Sequence, residues 1–325
     1  MGSGHHADDI DPKVLVPYIG PSTDPNELDV LFYLRPETNG VAVESTVLAV
    51  IRDCRADGVT IQLGYLANIP GHTIIQRRVV ERHYAIRLFF AVHGGAAFTL
   101  DMQRQFTAHY RQPFHPQRVI GAFEALRRLS WRPEQLFDLW VDESSVARIA
   151  GQVVKQYNDL FIVNYDIPAL LHKNTTDTDI AVMLFRADQG YELFFELADS
   201  MRDALVAGGL LSKRLPIARA VHFSRSPFEQ LLDARDYLLQ PGGNPVPVAE
   251  TSFGRFLLQR GVPADVVQGL VDHPICRFRN MGEQSLLDMC EGFGYDQAYQ
   301  MLTNIEAQTR LPDSTFLRGT ADGVD

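Results

Sequence analysis

The chain has 325 residues, 46% of them apolar and 22% charged, with a formal net charge of −10 and a pI near 5.5. Such a composition supports a substantial core, in one large domain or in a principal domain with a smaller one appended. The acidic balance opposes general affinity for nucleic acid or for an anionic membrane, because both need a positive surface.

The N-terminal stretch through residue 26 is rich in Pro, Gly and Asp (IGPSTDPNE) and reads as a flexible surface arm. Its polar start, MGSGHHADDIDP, has no apolar signal core, and His5 and His6 are not read as ligands. LDVLFYL (28–34) has the composition of a first strand. VAVESTVLAVIR (41–52) and VTIQLGYLA (59–67) read as further strands joined by a turn at Asp57-Gly58. TIIQRRVV (73–80) and HYAIRLFFAVH (83–93) complete an expected antiparallel meander.

The period then changes. Phe98, Met102, Phe106 and Tyr110 recur at helical spacing, and helical stripes follow from Val119, from Pro133 and from Val146. LFIVNYDIP (160–168) and DIAVMLFR (179–186) are short apolar runs suited to strands covered on both faces. YELFFELADSMRDALVAG reads as an amphipathic helix stopping at Gly208, and ARAVHF (218–223) as one more strand. Beyond Ser226 the pattern is helical, interrupted by the linker PGGNPVPVAE (241–250). The last dozen residues read as frayed. The expectation is a mixed α+β fold: an arm (1–26), a main domain (27–240) and a helical C-terminal subdomain (241–325).

Three places concentrate chemistry. In NTTDTDIAVMLFR (174–186), Asp177 and Asp179 stand at the mouth of a buried strand as candidate catalytic carboxylates. Asp177-x-Asp179-Ile180 resembles part of the nucleotidyltransferase superfamily signature, which implies magnesium held by carboxylates beside a nucleoside triphosphate. Ala181 occupies the place of that family's third carboxylate, and the upstream PALLHKN lacks its Gly-Ser pair. In VNYDIPALLHKN, Asn164 and Asp166 face the same way at a strand end, and pairing of the two apolar strands would gather Asp166, Lys173, Asp177 and Asp179 at one rim. Asn164, Asp166 and Lys173 are therefore candidate ligand-binding residues.

The third place is QRRVVERHYAIR (76–87). Strand alternation would set Arg77, Glu81, His83 and Arg87 on one face, with Arg78 opposite. Guanidinium forks suit carboxylate or phosphate, so Arg77, Arg78 and Arg87 are candidate anion binders, with Glu81 and His83 as acid and base. No metal ligand set and no cofactor is assigned. The phosphate-loop, dinucleotide, serine-elbow and zinc-helix motifs are absent from the sequence.

Cys54, Cys276 and Cys290 are widely spaced, and no apolar run approaches the roughly 18 residues that span a bilayer, so cytoplasmic residence is expected. The helix pair in LLQRGVPADVVQGLV offers Ala264, Asp265, Gln268 and Asp272 where a DNA reader would need cations. It is expected to pack on the protein, on a partner or on a second copy. The leading functional expectation is a ligand-binding, regulatory or assembly protein with a small-anion site. The alternative is an enzyme acting on a small phosphate- or carboxylate-bearing substrate, of which a divergent magnesium-dependent nucleotidyltransferase-like protein is one form.

Overall fold

The computed structural model describes residues 11–310; the start with His5 and His6 and the last dozen residues lie outside the described residues. The order of elements is β1 (Lys13–Val16), β2 (Leu28–Leu34), α1 (Val41–Ala56), β3 (Ile61–Pro70), α2 (Gly71–Gln76), α3 (Val79–His83), α4 (Ala85–His93) and α5 (Leu100–Tyr110). Next come β4 (Val119–Gly121), α6 (Ala122–Leu129), α7 (Pro133–Phe137), β5 (Val146–Ile149), β6 (Gln152–Tyr157), β7 (Leu160–Val163), α8 (Ile167–His172), β8 (Asp179–Ala187), α9 (Gly190–Ala207), β9 (Val221–Phe223) and α10 (Pro227–Tyr237). The chain continues through α11 (Ser252–Gln259), α12 (Ala264–Asp272), β10 (Ile275–Phe278), β11 (Gly282–Ser285), α13 (Leu286–Met289), α14 (Tyr295–Leu302) and β12 (Ile305–Gln308). The fold is mixed α+β, as expected.

Two compact units are distinguished. Among the described residues, unit 1 comprises 11–79, 174–272 and 290–303; unit 2 comprises 80–173, 273–289 and 304–310. Unit 1 is built on an antiparallel sheet of order β1-β3-β8-β2-β9. Its elements β2-α1-β3 and β8-α9-β9 give the β-α-β-β-α-β order of a ferredoxin-like, split-βαβ arrangement, with the 80–173 segment of unit 2 inserted between β3 and β8. Successive side chains of a strand point to opposite faces. Phe32 accordingly meets Phe194 of α9, while its neighbour Tyr33 meets Tyr237 of α10 on the other face. Helices cover both sides, so β2 and β8 are apolar almost throughout.

Unit 2 has a sheet of order β4-β7-β6-β5, in which β4 and β7 run parallel, and a second sheet of order β11-β10-β12. Helix α4 is wedged between two apolar clusters. Phe90 joins Met102, Phe106 and Phe161, whereas Leu88 and Ala91 join Ala125, Leu136 and Ile162. Gly121 and Gly94 permit the close approach of β4 to the end of α4: a Cβ on Gly121 would lie 2.1 Å from the Ala91 carbonyl oxygen.

Several expected strands are helices. In 41–56 the buried residues are Val43, Val47 and Ile51, a spacing of four that belongs to a helix despite the β-branched composition. Asp57-Gly58 ends that helix instead of closing a hairpin, with Gly58 at φ 92°. Segments 73–80 and 83–93 are likewise helical, so the meander is replaced by a sheet whose neighbours come from distant parts of the chain. The segment read as helix from Val146 is the β5–β6 hairpin, turned by Ala150 and Gly151 at φ 45° and 82°. Within 1–26, residues 13–16 form edge strand β1, and three short strands stand among the helices beyond 273.

Candidate functional site

The expected sites are dispersed. Asp177 is exposed on the loop before β8, where it accepts from Thr176 Oγ1 at 3.5 Å. Asp179 opens β8 and is partly buried, and its carboxylate accepts from the amides of Asn39, at 3.0 Å, and Asn68. Glu44, in the first turn of α1, has its carboxyl pKa raised by burial and by the charge of Asp179. The company of Asp179 is thus Asn39, Asn68 and Glu44, and Asp177 shares no hydrogen-bonding partner with it.

The expected rim does not form by strand pairing, because β7 pairs with β4 and β6 whereas β8 pairs with β2 and β3. Asp166 and Lys173 belong to unit 2, and Asp177 and Asp179 to unit 1. Three expected residues do meet within unit 2, through helical geometry. The Asp166 carboxylate accepts from Arg87 Nη2 at 2.7 and 2.9 Å, and the buried Asn164 amide donates to the Arg87 carbonyl at 2.8 Å. Burial works against the Arg87 charge, but Asp166 outweighs it, and the guanidinium pKa is raised. Asn164 also donates to Gln152 and accepts from the Val153 N–H, all from a left-handed backbone at φ 52°. Its hydrogen bonds are spent inside the protein. Lys173 lies over the Phe137 ring at 4.2 Å.

Strand faces for 76–87 do not exist. Arg77 donates to the Gly243 carbonyl at 2.6 Å, and Arg78, at φ 50°, sits between α2 and α3. Glu81 is partly buried on α3, and His83 is buried with its ring edge-on to Tyr84.

The densest chemistry lies on one face of the unit 1 sheet. Asp29 of β2 stands directly opposite Arg186 of β8 and is fully buried. Arg186 donates to both of its oxygens, at 2.7 and 3.0 Å, and also to the Gly20 carbonyl. Ser252 and Tyr18 donate to the same carboxylate, at 2.6 and 2.9 Å. Burial disfavours the charge of Arg186, yet hydrogen bonding to Asp29 prevails and the guanidinium pKa is raised. Burial, then Asp29, pushes the Tyr18 phenol up.

Further along this face, the Asp233 carboxylate on α10 accepts from Ser224 Oγ at 2.6 Å and lies 3.0 Å from His222 Nε2. His222 stacks on Tyr33, whose ring also carries Arg35 at 5.3 Å. Beside it, the Glu229 carboxyl is pushed up by burial and by Asp233, partly countered by His222 and Arg225. Ser224, His222 and Asp233 have the composition of a hydrolytic triad but a different connectivity: the serine hydroxyl donates to the carboxylate, where a nucleophile would donate to the imidazole. The arrangement suits fixing one imidazole orientation and accommodating a proton among buried carboxylates. Among the described residues, no group of three or more His, Cys, Asp and Glu is disposed to hold a metal ion.

Asp29 and Arg186 did carry a sequence signal, as charges at the ends of otherwise apolar strands. His222 and Asp233 come together only because β9 and α10 lie side by side on β2. No family model matches the chain, and no curated protein or solved structure was found to be similar to it.

Proposed function

We propose that the chain is a cytoplasmic assembly protein that associates with a second copy of itself through a surface on unit 2 centred on Trp140. The observation that carries this reading is the exposure of Trp140, at 79%, the equal highest among the large apolar side chains of the described residues. A solvent-facing indole has a strong hydrophobic gain available on burial, and tryptophan is the commonest anchor of protein interfaces.

The neighbourhood of Trp140 supports self-complementarity, which a two-fold interface requires. Lys155 reaches the Leu139 carbonyl at 2.5 Å and lies 3.6 Å over the Tyr165 ring, while Lys173 lies over Phe137. Asp138, Asp142 and Glu143 are exposed alongside. Lysines, carboxylates and aromatic rings thus lie at or against residues close to Trp140 in the chain, a mixed composition that a charge-complementary contact between two copies can use. This moves the association surface away from the C-terminal helices expected from the sequence, where Val266 is the exposed large apolar side chain of the α11–α12 pair. Among the described residues, no helix is long and apolar enough to cross a membrane.

The chain has two tryptophans, and Trp131 packs on Tyr157 at 5.2 Å. The tryptophan emission of the wild type is expected to shift to the blue as concentration rises, and that of Trp140→Ser to stay constant. A second reading, an enzyme acting on a small anionic substrate, draws on the His222–Asp233 pair with Arg35 nearby. It predicts that phosphate or a small carboxylate raises the melting temperature of the wild type and leaves that of Asp233→Asn unchanged.

A further inference from the structure

We infer that residues 17–27, between β1 and β2, form a strap that opens independently of the unit 1 sheet and, when closed, seals the Asp29–Arg186 pair from solvent. Three alternate residues of the strap carry the closure. Tyr18 Oη donates to Asp29 Oδ2 at 2.9 Å, the Gly20 carbonyl accepts from Arg186 Nη2 at 2.7 Å, and the Ser22 N–H donates to Ser252 Oγ at 2.8 Å. All three bonds end on one joined group, because Ser252 Oγ donates to Asp29 at 2.6 Å and accepts from Arg186 Nη2 at 3.1 Å. Gly20 takes a left-handed turn at φ 83°, which glycine adopts without steric cost.

The hold is polar and shallow. Residues 23–26 are exposed, and Ile19, which rests against Gly64 and donates its N–H to the Gly64 carbonyl at 3.0 Å, keeps 41% of its surface in solvent. The tip is bonded within the strap: Ser22 Oγ donates to Glu27 at 2.5 Å, and Asp24 Oδ1 accepts from the Asn26 N–H at 2.9 Å. Beneath it, β2 is buried throughout and β8 nearly so. A segment with few buried apolar contacts opens at a free energy well below that of the core it covers. Lifting the strap exchanges its bonds for bonds to water, at a modest net loss for each. The Asp29–Arg186–Ser252 contacts do not involve the strap and survive its opening, so the device is a gate over a preformed charged pair.

Native-state hydrogen exchange on the full chain, read residue by residue, tests the strap as a unit. The bonded Ile19 and Ser22 amides are expected to exchange about 100-fold faster than those of β2 and β8, at a rate insensitive to low denaturant, as local opening requires. Tyr18→Phe removes one latch and keeps the ring, and it is expected to speed exchange at Ile19 and Ser22 about tenfold while β2 and β8 stay unchanged. Phenylglyoxal, which condenses with accessible guanidinium groups, gives the second readout. Arg186 is expected to react about tenfold faster in Tyr18→Phe, whereas Arg52, with a side chain 75% exposed, reacts alike in both proteins. Strap amides that exchange only together with the sheet, or a Tyr18→Phe effect spread equally over strap, β2 and β8, would overturn the inference. So would an Arg186 reactivity that Tyr18→Phe leaves unchanged.

Discussion

Glu229 bears a titratable cost that the fold carries on purpose or by tolerance, and its sign is testable. Its folded pKa is raised above the ordinary 4.5, chiefly by burial. The folded protein therefore holds this proton more tightly than the unfolded chain, and stability falls as pH rises from about 4.5 through the raised value. Glu229→Gln keeps an oxygen that can accept from Arg225 N–H and removes the titration. Thermal melts from pH 4 to 8 are expected to show a smaller decline for the variant, which overtakes the wild type at neutral pH. A wild-type curve no steeper than the variant's would refute the assignment. Asp29 and Arg186 invite a second test. Arg186→Met strands a buried carboxylate and is expected to cost about 3–5 kcal/mol in denaturant unfolding, whereas Asp29→Leu with Arg186→Met recovers most of that loss. Equal losses in the single and double variants would mean that the pair contributes net stability in its own right.

Elements were legible where one periodicity was unopposed. β2 and β8 stood out as apolar runs of strand length, and α9 as an amphipathic stripe closed by Gly208. Helix α4 was not legible, because two separate cores claim its opposite sides and leave no polar face to mark a helical period. Helix α1 misled through composition: Val41, Val43, Val47, Val50 and Ile51 are strand-favouring residues that tertiary packing overrides. The β5–β6 hairpin hid behind an Ala-Gly turn that lacks the usual Asn or Asp. The approach of β4 to α4 depends on Gly121, and Gly121→Ala is expected to cost at least the about 1–3 kcal/mol of an overpacked core. A chemical denaturation midpoint equal to wild type would show that β4 can move aside.

At the scale of the whole molecule, the antiparallel sheet of unit 1 joins β2 and β3 to β8 and β9 across the 80–173 segment of unit 2, and no local signal announces such pairing. The buried network on its face therefore has no local signature in the sequence, whereas single polar residues at strand ends do. Asp177 and Asp179 were conspicuous in sequence and prove to have separate surroundings, whereas Asp233 and His222 were inconspicuous and meet. Trp140 belongs to the same lesson, since its exposure depends on where α7 ends and not on any pattern in LFDLWV. Trp140 is proposed as the interface anchor between two copies of the chain. Sedimentation velocity of the wild type and of Trp140→Ser, from about 1 to 100 µM, tests it most directly. The expected result is a wild-type sedimentation coefficient that climbs from the monomer toward the dimer value while the variant stays monomeric; a wild type that remains monomeric throughout, or a variant that dimerises equally well, would contradict it.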